Sequence, residues 1–92
     1  MNATEEASGR TVSPDPVHTV IEQAEMAMEA ILFAAGHPAS YGKLAAVIGL
    51  SERDVRSLTA RMAEGYGHRG IQLLLFPDSC QLCPREQFAP LV

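Results

Sequence analysis

From Val17 to Ala35 the chain places apolar residues at three- and four-residue steps. Val17, Val20, Ile21, Ala24, Met28, Ile31 and Ala35 would share one face of a helix. Gly36 can take the left-handed conformation that closes a helix, and Pro38 cannot continue one, so the first helix is expected to stop there. Ser40 is placed to cap a short second helix, with Tyr41, Leu44, Ala45 and Ile48 on its inner face and Gly49 at its end. Ser51 can cap a third helix that begins at Glu52, with Asp54 reaching back to the cap and Leu50 packing on Val55 as a hydrophobic staple. Its buried face should be Val55, Leu58, Thr59, Met62 and Tyr66, before Gly65, Gly67 and Gly70 loosen the chain.

Residues 71–76 (IQLLLF) are short, apolar and bounded by Gly70 and by Pro77-Asp78-Ser79, which predicts a strand entering a turn. Cys80 to Cys83 would form the returning strand. Arg85 to Val92 sets Phe88, Leu91 and Val92 at helical spacing, the start of a fourth helix. Helix, helix, tight glycine-containing turn, helix and hairpin make an α+β fold, mainly α: a winged helix-turn-helix with a two-stranded wing. Residues 1–16 carry Ser, Thr, Gly, Pro and charge with almost nothing to bury and read as a flexible tail. Residues 17–92 form the domain.

Composition narrows what such a domain can do. At 92 residues the chain supports one core, and with 5% aromatics and no Trp that core must be aliphatic. Two cysteines are too few for a secreted disulfide framework, so a reducing cytoplasm is expected. The longest apolar run, Ala30 to Ala35, is far short of a membrane span.

The architecture suggests DNA binding, with the third helix in the major groove through Arg53, Arg56 and Arg61. A formal charge of −4 opposes that reading, since phosphates must be met by Lys and Arg. Glu52, Asp54 and Glu64 offset the three arginines on the same helix, and residues 71–84 contain no Lys or Arg. A DNA-binding transcriptional regulator is therefore the second reading.

The first helix carries more apolar residues than one face needs. Met26 and Phe33 fall nearly opposite the Ala24, Met28, Ile31 and Ala35 stripe, beside Glu22, Glu25 and Glu29. Either the wing covers them within the same chain or they form an apolar patch for a second copy or a partner. Leu73 to Phe76 raises the same question, because four consecutive apolar residues put side chains on both faces of a hairpin. Met26, Phe33, Leu74 and Phe76 are the candidate protein-interface residues.

Cys80 and Cys83 have the spacing of half a zinc or redox motif, but residues three apart on a strand point to opposite faces. His18, His37 and His68 are scattered singly over tail, turn and loop. With no nucleophile set and no glycine-rich phosphate loop, no enzyme, metal site or cofactor is expected.

Residues 28–40 (MEAILFAAGHPAS), followed by Leu44-Ala45 and by Ile48-Gly49-Leu50-Ser51, resemble the opening of segregation and condensation protein B, the bacterial condensin accessory subunit. Residues 66–71 (YGHRGI) and Gln81-Leu82 are also similar to that family, so the likeness runs from about Ile21 to Val92. The resemblance implies the first of two tandem winged-helix domains and a homodimer made largely through it. It also implies a non-catalytic role beside a kleisin, segregation and condensation protein A, and a structural-maintenance-of-chromosomes ATPase. By the same resemblance the complex condenses and segregates chromosomes, and this subunit would meet DNA only indirectly, in the cytoplasm and at the nucleoid through the complex.

Overall fold

The computed structural model describes residues 19–92. Helix α1 spans Val20–Ala35, strand β1 Ala39–Ser40, helix α2 Tyr41–Ile48, helix α3 Glu52–Glu64, strand β2 Ile71–Leu75 and strand β3 Ser79–Pro84, with a 3-10 helix at Glu86–Leu91. The expected residues end the helices. Gly36 and Gly49 hold φ of 67° and 85°, a region in which a side chain would be strained, and their amides donate to Leu32 and Ala45. The Ser40 and Ser51 hydroxyls accept from the amides of Lys43 and Asp54 at 3.1 and 3.0 Å.

The start of α1 is set by a reciprocal cap. The Glu22 amide donates to the Thr19 hydroxyl while the Thr19 amide donates to the Glu22 carboxylate. Val17, expected on this helix, and the tail at 1–16 lie outside the described residues.

Three details depart from the sequence reading. The sheet has three strands in the order β1-β3-β2, because Ala39 and Ser40, held extended between Pro38 and the α2 cap, pair antiparallel with Cys80 and Ser79. The terminal segment is a single 3-10 helix with Pro90 inside it rather than the start of an α-helix; Pro90 has no amide to donate. The buried stripe of α1 also lies further round than Ala24, Met28, Ile31 and Ala35. Met28 and Leu32 are sealed, Ile31 is half-buried, and Val20 and Ile21 face outward.

The core gathers Met28 and Leu32 of α1, Tyr41 and Leu44 of α2, Val55 and Met62 of α3, and Leu73 and Cys80 of the sheet. Val55, Thr59, Met62 and Tyr66 are buried as the α3 periodicity predicts, and Leu58 is partly so. Thr59 is fully buried and its hydroxyl donates to the Arg56 carbonyl, so the one buried polar side chain among these positions is satisfied.

Candidate functional site

The β2–β3 ladder fixes which hairpin residues face the helices. Ile71, Leu73 and Leu75 share a face with their partners Pro84, Leu82 and Cys80, while Gln72 and Leu74 share the other with Cys83 and Gln81. Leu73 and Cys80 are buried, so the first set meets the core. The two cysteine thiols therefore fall on opposite faces of β3. Burial pushes the Cys80 thiol up to about 11.

Ile71 and Leu82 also form one wall of a groove whose other wall is α1. Met26, Glu29, Ala30 and Phe33 complete it, enclosing about 350 Å³. Phe33 is 78% exposed and Met26 50%, so the wing does not cover them. The groove continues past Met26, Glu29 and Ile71 into a more polar section lined by Glu22, Glu25, Met62, Tyr66 and Arg69.

Of the four candidate interface residues, the structure brings two together in this groove. Leu74 projects from the opposite face of the hairpin, where it is half-buried. Phe76 lies at the turn, its amide donating to the Ser79 carbonyl at 2.8 Å and its carbonyl accepting from the Tyr41 hydroxyl at 3.2 Å. Ile71 and Leu82 were not singled out from the sequence; strand alternation could have found them once the hairpin register was known.

The polar section is organised by Tyr66, from the loop after α3. Its hydroxyl donates to the Glu29 carboxylate, and burial together with that bond pushes the phenol up to about 12. The loop is held in turn by Arg85, whose amide donates to the Gly70 carbonyl at 2.8 Å and whose Nε donates to the Arg69 carbonyl at 2.7 Å. Arg85 Nη2 also donates to the Tyr66 carbonyl. A planar guanidinium serves the two carbonyls from donors held in a fixed fork, whereas an ammonium is a point charge on a flexible stem.

The arginines expected to face DNA are differently occupied. Arg56 lies over the Tyr41 ring, 4.4 Å from its centre, donates to the Pro77 carbonyl at 2.8 Å, and pairs with Glu52 at 3.4 Å and Asp78 at 3.9 Å. Arg61 pairs with Glu25 of α1 at 3.1 Å. Arg53 alone of the three has no ionic partner among the described residues. Two of the three arginines on the face offered to DNA are thus engaged in the fold's own contacts.

Among the described residues no cluster of three His, Cys, Asp or Glu side chains could hold a metal ion, and no helix is long and apolar enough to cross a membrane.

Comparison with known proteins gives one family throughout. Residues 26–92 match the family model of the segregation and condensation complex subunit ScpB. Segregation and condensation protein B of Caldanaerobacter subterraneus subsp. tengcongensis is 37% identical over 67 residues, 71% of this chain and 40% of that protein. The protein of the same name from Moorella thermoacetica is 40% identical over 65 residues, 68% of this chain and 33% of its own length. This chain therefore spans a third to two-fifths of these relatives. A crystal structure of a dimer of the ScpB N-terminal domain complexed with an ScpA peptide superposes with a TM-score of 0.71 at 29% identity, covering 79% of this chain and 94% of that one. ScpB from Mycobacterium tuberculosis, at 24% identity, shares the fold with the same TM-score over 80% of this chain and 48% of its own. Sequence and fold agree that the chain belongs to the ScpB family of segregation and condensation complex subunits.

Proposed function

We propose that this chain is a non-catalytic scaffold domain that pairs with a second copy through the groove between α1 and the hairpin. The observation that carries this reading is Phe33, a large aromatic 78% exposed beside Met26 and over Ile71 and Leu82. Burial of one such side chain stabilises by about 2 kcal/mol, and a two-fold contact would bury two. The related domain crystallised as a dimer with an ScpA peptide supports pairing with a second copy.

In this reading residues 17–92 are the first of two winged-helix domains. The dimer supports assembly of the kleisin, segregation and condensation protein A, with the structural-maintenance-of-chromosomes ATPase heads. The complex condenses and segregates chromosomes in the cytoplasm at the nucleoid. DNA is met through the complex, since Arg56 and Arg61 are occupied within the fold.

Molar mass measured by light scattering, across a concentration series at low and high salt, tests the pairing. Apolar burial drives a dimer that survives high salt, whereas association through ion pairs would weaken steeply. A chain that remains monomeric at every concentration would overturn the reading.

A further inference from the structure

A second concavity lies on the face of α1 opposite the groove, along the last turns of the helix. Ile31 and Ala35 of α1, Pro38 and Ala39 of the connection, and Leu44 and Val47 of α2 enclose about 260 Å³. Leu44 and Ala39 form a buried floor, and Val47 stands 62% exposed at the rim. The polar groups around it are His37, Ser40 and Lys43. Both sections of the groove beside the hairpin have glutamates in their lining; this pocket has no carboxylate. Glu52, whose carboxylate approaches Gly42 on the first turn of α2, is paired with Arg56 and does not line the pocket. On a chain of net charge −4, an apolar pocket with a lysine and a histidine at its rim runs against the background.

We propose that this pocket between α1 and α2 is a docking site for an acidic peptide segment that inserts an aliphatic side chain beside Val47 and sets a carboxylate on Lys43. This rests on the reading of the domain as a protein-docking scaffold, and the related dimer that holds a peptide supports a peptide as occupant. Lys43 and Val47 are one helical turn apart on α2, roughly 6 Å between their side-chain origins. A ligand matching both needs an aliphatic residue and an acid at a similar interval, the spacing of positions i and i+4 on a helix or i and i+2 on a strand. The volume admits one or two aliphatic side chains and no aromatic cluster. The ammonium of Lys43 selects for acid and against base at the rim.

The probe is a fluorescein-labelled peptide of leucine and glutamate with the two residues at i and i+4, beside a matched peptide carrying lysine for glutamate. Anisotropy is followed against the 92-residue chain, with molar mass measured on the same samples. The acidic peptide should bind saturably, with a dissociation constant on the order of 10–100 μM for so small a contact, and the basic one should not. Val47→Glu should weaken binding at least tenfold, and Lys43→Glu should weaken it and let the basic peptide bind, both with circular dichroism and self-association unchanged. No saturable binding, equal binding of both peptides, or retention by both variants would overturn the proposal. So would dissociation of the dimer by the peptide, since the pocket would then belong to the self-interface. A monomeric wild-type chain that still binds the acidic peptide would sink the dimer reading and leave the pocket standing.

Discussion

The α3 side and the α1 side of this domain present opposite balances of charge and apolar surface. On α3, where a winged helix would read DNA, Arg56 is locked over Tyr41 and onto the turn of the wing, and Arg61 is drawn to Glu25. On α1, Phe33 and Met26 stand open above Ile71 and Leu82 with nothing in the described chain to cover them. The same architecture therefore uses two of the α3 arginines for internal bracing and leaves apolar surface on α1 free. A supersecondary pattern names a shape, while the residues on each face name its use.

The sharpest test of that contrast lies between adjacent residues. Leu32 is 1% exposed and Phe33 78%. Leu32→Ala should destabilise the fold by about 3 kcal/mol in urea unfolding, through lost transfer energy and the cavity left behind. Phe33→Ala, the larger truncation by atoms, should cost less than about 1 kcal/mol in the monomer. Similar losses at both sites would break the contrast.

Phe33→Glu should next abolish self-association, shifting the dissociation constant by roughly a hundredfold, as removal of a central aromatic from an interface does. Light scattering reads the mass, and an unchanged melting profile of the diluted monomer separates this outcome from misfolding.

Alkaline titration probes the interior. The folded chain holds the Cys80 thiol proton and the Tyr66 phenol proton more tightly than the unfolded chain, with values of about 11 and about 12. Their contribution is fully present below about pH 9 and is lost as pH rises through 11 and 12, with a slope of about 1.4 kcal/mol per pH unit for each proton. Thermal unfolding between pH 8 and 12 should show the fall, and Cys80→Ala should remove the earlier part of it.

The smallest effect is expected at Arg56. Arg56→Lys keeps the charge and gives up the fork and the stacking on Tyr41, at a cost of about 1 kcal/mol. Hydrogen exchange of the Phe76 amide, bonded to Ser79, should quicken. If Arg53→Glu with Arg56→Glu removed a salt-sensitive affinity for duplex DNA, the contrast between the two sides would collapse.

Much of this molecule was legible from its sequence, for reasons that are local. Caps at Ser40 and Ser51 and stops at Gly36 and Gly49 act within four residues, and the α3 period brought Val55, Thr59 and Met62 inside as expected. The Thr19–Glu22 cap, a Thr-x-x-Glu before an apolar run, was missed by taking the helix face from Val17. The rest required partners distant in the chain. Strand β1 exists because Cys80, some forty positions later, comes to lie beside Ala39. Four apolar residues in a row carry no two-residue period, so nothing in Leu73 to Phe76 announced that Leu73 would face inward and Leu74 outward; the turn settles that register. The occupation of Arg56 by the wing and of Arg85 by the α3–β2 loop likewise joins positions 16 to 21 residues apart.

Arg85 has a mechanical consequence. Its amide and guanidinium tie three carbonyls of one loop at the point where β3 gives way to the terminal 3-10 helix. Tension applied at Val92 would peel Glu86–Leu91, whose side chains are exposed, and then meet several bonds that must yield together. The residue acts as a strain relief, like the clamp where a cable enters its housing. Force transmitted through the terminal turn would meet these bonds before the ladder that holds Ile71 and Leu82 in place.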